Sequence, residues 1–230
     1  MRYKIEDIVA LIGARRYGNA EANIEWLLTD SRSLVFPETS LFFAIKTNIG
    51  DGHNYINELY KRGVRNFVVT KLPDKYDEKY PGTNFLYVID SRKALQRLSE
   101  RHREQYNIPI IGITGSNGKT IVKEWLNQLL QPVMNVTRSP RSYNSQIGVP
   151  LSVWLLDESS QIGVFEAGIS DPGEMDALRD IIQPTIGIMV NLGNAHQENF
   201  PDKESKCREK LKLFKNCDVV IYSSDDEIID

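Results

Sequence analysis

Apolar residues recur at helical spacing near the start of the chain, at Ile5, Ile8, Val9 and Ile12, with Gly13 directly after them. That spacing predicts an amphipathic helix stopped by the glycine. The pattern then shifts to short apolar runs of strand length, Leu41–Ile45, Phe67–Val69 and Phe85–Ile89. Between the first two, a polar loop from Thr47 to Asn54 leads into a predicted helix with Ile56, Leu59 and Tyr60, closed by Gly63. The stretch KLPDKYDEKYPGTN reads as a charged surface loop. A longer helix is expected from Asp90 or Ser91 to about Tyr106, with Ala94, Leu95 and Leu98 turned inward.

After Asn107-Ile108-Pro109 the alternation becomes strict. Strands are predicted at Ile110–Thr114, Val133–Thr137, Ile162–Glu166, Ile186–Asn191 and Val219–Tyr222. Helices are predicted at Lys119–Leu130, Ile147–Leu156, Pro172–Ile182 and Lys203–Phe214. In the first of these, Ile121, Val122, Trp125, Leu126, Leu129 and Leu130 are assigned together to one face. Strands separated by helices imply crossover connections and a mainly parallel sheet covered on both faces. The reading is therefore α/β: a small α/β domain over residues 1–106, then a mainly parallel sheet over 107–230.

Composition narrows the function. The 230 residues are 41% hydrophobic and 26% charged, as in ordinary globular proteins, which argues against disorder or coiled coil. A net charge of -3 provides no basic field for nucleic acid. No apolar run approaches membrane-spanning length, and the N-terminus lacks a signal-peptide core, so no membrane insertion is expected. Cys207 and Cys217 stand without metal-ligand spacing and read as reduced thiols of a cytoplasmic protein.

The candidate chemistry begins at Ile113-Thr114-Gly115-Ser116-Asn117-Gly118-Lys119-Thr120, where a buried strand runs through a glycine-rich turn into a helix. Glycines let successive N–H groups point at one anion, and the helix N-terminus adds its positive end. Gly115, Ser116, Asn117 and Gly118 are thus expected to cradle phosphates, with Lys119 reaching the β/γ-phosphates and Thr120 a Mg²⁺ ion. The full motif G-x-x-x-x-G-K-[ST] fails by one position, where Ile113 stands, while the shorter TGSNGKT is complete.

Ligands of open α/β sheets lie beyond the carboxyl ends of the strands. Glu166 ends the apolar run from Ile162 and is a candidate Mg²⁺ carboxylate. His196 follows the strand from Ile186 and would hang over the same edge, either as a ligand or as a surface residue. Asp171-Pro172-Gly173-Glu174 reads as helix capping. His102 reads as structural, and His53 as a residue that could touch a ligand. Residue patterns alone leave Lys210 among the solvated lysines of KESKCREKLKLFK.

These segments resemble the Mur ligases, ATP-dependent amide-forming enzymes of peptidoglycan synthesis. The resemblance is carried in order by TDSRSLVFPETSLFFAIK with its downstream DGH, ITGSNGKTIVKE, YNSQIGVP, FEAGIS, NLGNAHQENF and EKLKLF. TGSNGKT alone fits any member, folylpolyglutamate synthase included. Lys123-Glu124, the EAG segment and the AH-x-E segment point to the branch that adds D-Ala-D-Ala to UDP-MurNAc-tripeptide. The resemblance implies ATP and Mg²⁺ as cofactors, through Lys119, Thr120 and Glu166. It places Asn144 and His196 at the metal centre and makes Lys210 a carbamate, an anionic metal ligand formed from CO₂. Ser31 and Arg32, with Lys46 and His53, match the uridine-nucleotide region.

Ser145 departs from the second asparagine of the family's NN-x-x-G-x-P segment, and Ile169-Ser170 vary the residues after EAG. Family members continue further, so the resemblance implies a substrate domain plus part of the ATP-binding domain, without the C-terminal domain. Two other readings stay open at this level: a sister ligase adding another residue, and a non-catalytic nucleotide- or UDP-sugar-binding module.

Overall fold

The computed structural model describes residues 2–48, 50–193, 197–225 and 228–229. The chain divides into two compact units, Met1–Leu98 and Ser99–Asp230.

The first unit opens with helix α1 (Ile5–Ile12), which ends at Gly13 with φ 65°, the left-handed cap its sequence announced. Strands β1 (Arg15–Tyr17), β2 (Trp26–Leu28) and β3 (Ser40–Phe43) follow, then helix α2 (Ile56–Lys61) and strands β4 (Asn66–Val69) and β5 (Asn84–Tyr87). They form a sheet in the order β1-β5-β4-β3-β2, parallel except for β1 on β5. Phe42, Phe67 and Phe85 fill its core beneath Ile56 and Leu59. β1 and β2 have no counterpart in the predicted elements. Both are edge strands, and Arg15-Arg16-Tyr17 carries no apolar alternation. Arg16 is instead tied to the sheet through Asn84 Oδ1 and Ala20 O. The charged stretch after Val69 contains a short helix, Tyr76–Lys79, within its loop.

Helix α3 (Ser91–Arg103) starts on the Asp90 carboxylate, which accepts from the N–H groups of Arg92 and Lys93. The division between units falls inside this helix, after Leu98. Its last turns bond within the second unit: Ser99 Oγ to Pro150 O, His102 Nε2 with Leu156 O, and Arg103 Nε to Ile182 O. Burial holds His102 down to about 4, so the ring is neutral where it lies tilted against Trp154, centroids 4.6 Å apart.

The second unit alternates β6 (Ile110–Thr114), α4 (Lys119–Leu130), β7 (Val136–Arg138), α5 (Gly148–Val153), β8 (Ile162–Glu166), α6 (Met175–Ile182), β9 (Ile186–Met189), α7 (Lys203–Leu211) and β10 (Val219–Ile221). The strands form one parallel sheet in the order β7-β8-β6-β9-β10. On one face Ile110 and Phe165 pack with Val149, Leu178, Leu213 and Phe214. On the other, Ile111, Ile113 and Val164 pack with Val122, Leu126 and Leu130 of α4. A side chain at Gly187 would collide with the Phe214 ring, so this glycine is what lets α7's end close on the sheet.

Three expectations are corrected. Val133 is exposed in a turn and the strand begins at Val136, because the chain must first leave α4. Ile121, Trp125 and Leu129 lie outward, at 56%, 62% and 74% exposure, while Lys123 and Asn127 of the opposite flank are buried. Helix α6 starts at Met175, and its N-terminus is capped from another element: Glu209 Oε1 accepts from Gly173 N and Met175 N. Glu174 instead turns back to accept from Ser170 N and Asp171 N.

Candidate functional site

The strand order reverses at β6, since the chain adds β7 and β8 on one side of it and β9 and β10 on the other, and the crevice beyond such a point is where open sheets bind ligands. The turn from β6 to α4 occupies it. Gly115 (φ 141°) and Gly118 (φ 81°) take conformations that side chains rarely adopt, and a Cβ on Gly115 would sit 3.0 Å from the Asn191 backbone. Asn191 braces the turn twice: its carbonyl accepts from Ser116 N (2.9 Å) and its Oδ1 from Asn117 N (3.0 Å). Ser116 Oγ donates to Gly193 O. Among the described residues, nothing accepts from the N–H groups of Gly118, Lys119 and Thr120. These first-turn donors are the open ones, and they point where the helix dipole favours an anion.

The charged groups are grouped closely around this turn. Lys119 Nζ donates to Gly115 O (2.8 Å) and Ser116 O (3.3 Å), and burial lowers its pKa against the opposing pull of Glu166. Thr120 Oγ1 donates to Glu166 Oε2 at 3.0 Å. Glu166 ends β8 and is wholly buried. Its Oε1 lies 3.0 Å from Lys123 Nζ, an ion pair without a hydrogen bond directed at that oxygen.

Two further lysines come from α7. Lys210, only 3% exposed, donates to Gly115 O (3.3 Å), so a residue 95 positions away touches the same carbonyl as Lys119. Burial first, then the Lys119 and Lys206 charges, push its pKa down to about 8. Lys206, also buried, donates to Gly193 O at 2.6 Å. The residue-based reading of Lys210 as a solvated lysine is therefore overturned. Its helix is polar at almost every position, and it is buried because it packs against the glycine-rich turn.

Asn144 completes the group. Its carbonyl accepts from Gly168 N, and a Cβ on Gly168 would meet the Asn144 amide at 3.0 Å. Asn144 and Gly168 face Gly115, Lys119 and Lys210 across a cavity of about 110 Å³. Ser145 lines it too and donates structure to α5, its Oγ accepting from Gly148 N. A larger depression of about 460 Å³ lies beside Arg103, Arg179 and Asp180, but there the arginines are spent on carbonyls and on Asp176 and Asp180. His196 lies outside the described residues.

In the first unit the four candidates differ. Ser31 is buried in a short 3₁₀ turn started by Asp30, and its carbonyl accepts from Arg62. Arg32 is exposed and paired with Asp30; Lys46 is exposed. His53 is not open to a ligand through its ring. Nε2 accepts from Thr70 N (3.0 Å), so Nδ1 carries the proton donated to Asp51 (2.6 Å).

The residues fit a nucleotide with its magnesium better than a protein-only metal cage. Among the described residues no three His, Cys, Asp or Glu groups converge on one point. Mg²⁺ is commonly held by one or two carboxylates together with phosphate oxygens and water, and Thr120 with Glu166 beside open amides provides that set. Sequence reasoning gave no site role to Asn191, Lys123 or Lys206. Asn191 had a signal in its position at the end of a strand on the sheet's carboxyl edge, and Lys123 one in the Lys123-Glu124 pair, while Lys206 had none.

A parallel sheet with a glycine-rich turn at its switch point, an acid on the adjacent strand and lysines packed against the turn defines an open α/β protein of the class that takes its ligands at that edge. The Mur ligase middle domain matches residues 113–230, and the chain belongs to the Mur ligase family. Within it, the chain is similar to UDP-N-acetylmuramoyl-tripeptide–D-alanyl-D-alanine ligases. That of Borreliella burgdorferi is 33% identical across 97% of this chain and 50% of its own length. That of Bacillus subtilis is 29% identical across 90% and 45%. Among solved structures, MurF from Acinetobacter baumannii superposes with a TM-score of 0.87 at 26% identity, covering 99% of this chain and 51% of that one. MurF from Thermotoga maritima in complex with ADP gives 0.76 at 26%, covering 88% and 46%. The chain spans about half the length of the curated relatives it matches. Among the described residues no helix is long and apolar enough to cross a membrane.

Proposed function

We propose that this chain supplies the uridine-nucleotide unit and part of the ATP unit of a ligase that joins D-Ala-D-Ala to UDP-MurNAc-tripeptide. In the reaction so inferred, the peptide carboxylate takes the γ-phosphoryl group of ATP and releases ADP. The amine of D-Ala-D-Ala then attacks the acyl phosphate, and inorganic phosphate leaves as the amide forms. The difficulty is electrostatic, because a carboxylate must approach a polyanion. Lys119 would turn from the Gly115 carbonyl to the β/γ-phosphates, while the amides of Gly118, Lys119 and Thr120 hold phosphate oxygens. Magnesium, held by Thr120 and Glu166 with the nucleotide, would neutralise the transferring group. His196 and a carbamate on Lys210 are assigned to a second magnesium, with Asn144 facing it. Ser31, Arg32 and Lys46 are assigned to the uridine-nucleotide end, and His53 to holding the Asp51 and Thr70 segments beside it. The setting is cytoplasmic.

The observation that carries this reading is the Thr120–Glu166 contact set directly against the open amides at the start of α4. Calorimetric titration tests it. The chain should bind Mg·ADP, and Lys119→Ala should weaken that binding at least about tenfold, or about 1.4 kcal/mol. Binding of UDP-MurNAc-tripeptide should be unchanged by the same substitution. Failure to bind Mg·ADP contradicts the ATP assignment; failure to bind the muropeptide contradicts the substrate. In a full-length enzyme carrying this chain, D-Ala-D-Ala should support ADP release where diaminopimelate, lysine and glutamate do not.

A further inference from the structure

The Lys123-Glu124 pair marks the family branch in sequence but has no part in the scheme above. Lys123 lies one helical turn after Lys119 on the same flank of α4, and none of its side chain reaches solvent. Its ammonium is 3.0 Å from Glu166 Oε1 and 3.2 Å from Glu124 Oε1. It also donates to the carbonyls of Ser139 (2.8 Å) and Arg141. Arg138 draws on the same Glu124 oxygen from β7, at 3.1 Å.

Burying Lys123 or Glu166 alone would be costly, and an apolar pair of the same volume would pack there without that cost. What the charged pair fixes is direction. Glu166 is gripped from two positions of one helix, its Oε2 by the Thr120 hydroxyl and its Oε1 by the Lys123 charge. Its main chain is held too, since Glu166 N donates to Ser139 Oγ while Ser139 N donates to Val164 O. Through Ser139 and Arg141, Lys123 also anchors the segment that leads to Asn144, and Arg141 takes a left-handed φ of 48° there. We propose that Lys123 is a positioning residue: it aims the Glu166 carboxylate at the nucleotide's magnesium and sets the 139–144 segment beside it. This inference rests on the nucleotide reading above.

A fluorescent ADP analogue, titrated in excess MgCl₂ and again in EDTA, separates positioning from mere packing. The wild-type chain should bind more tightly with magnesium. Lys123→Met should cut that magnesium gain about tenfold and leave affinity in EDTA within about threefold, since the turn's amides are untouched. Glu166→Gln should lose the gain equally, and Lys123→Met added to it should lose no more, because the lysine acts through the carboxylate. If Lys123→Met fails to fold, the Lys123→Met/Glu166→Gln pair, which leaves no buried unpaired charge, carries the same comparison. An unchanged gain in Lys123→Met overturns the proposal. So does a further loss in the double variant relative to Glu166→Gln, or failure of both Lys123 variants to fold. Binding in EDTA with no gain from magnesium in the wild type refutes the role of Lys123 while leaving the nucleotide reading intact. No binding in either condition refutes both.

Discussion

Lys210 is a residue whose surroundings in sequence and in space disagree. Charged neighbours on both sides place it in a solvated stretch, yet it is buried and donates to Gly115 O. Only the family resemblance singled it out. Its lowered pKa has a chemical consequence, because CO₂ adds to the neutral amine and not to the ammonium. With a pKa of about 8, a substantial neutral fraction exists near that pH, where an ordinary lysine is almost wholly charged. In ¹³C-bicarbonate the chain should show, besides the carbamate of its α-amine, a second carbamate resonance above pH 8 that fades as pH falls below it, and Lys210→Ala should abolish that second resonance. If the second resonance persists in Lys210→Ala, this residue is removed from the role. The turn itself was readable in its backbone, since Gly115 and Gly118 take positive φ and Lys119 opens the helix, all within one short segment.

At the scale of elements, α4 shows both the strength and the limit of periodicity. Its length and position follow from its apolar spacing, and Val122, Leu126 and Leu130 meet the sheet as that spacing requires. The pattern cannot say which flanking stripe is also buried. Ile121, Trp125 and Leu129 are more apolar, but the flank with Lys123 and Asn127 is the one turned inward, because Glu166, Ser139 and Arg141 offer it partners. Leu126→Ala should therefore cost about 2–4 kcal/mol in urea unfolding, and Trp125→Gln less than about 0.5 kcal/mol. Equal losses would contradict this assignment of faces. A comparable misreading occurs at α6. The Asp171–Glu174 segment looks like a self-contained cap, whereas the cap is Glu209 from α7, a partner no local pattern could supply.

At the scale of the whole molecule, alternation of strands and helices after residue 109 was enough to predict a parallel sheet, and the sheet is parallel throughout. The order β7-β8-β6-β9-β10 was not readable, since pairing partners are set by packing between distant segments. That order brings Glu166 and Asn191 to either side of the β6–α4 turn, and so gathers the candidate site. The edge strands β1 and β2 escaped notice for a related reason: short, partly exposed strands carry little alternation to read. The account as a whole stands on the β6–α4 turn holding the phosphates of a nucleotide, and a crystal structure of the chain grown with ADP and MgCl₂ tests that directly. The phosphates are predicted on the amides of Gly118, Lys119 and Thr120, with magnesium at Thr120 and Glu166. ADP bound elsewhere, or magnesium away from Glu166, would contradict the account.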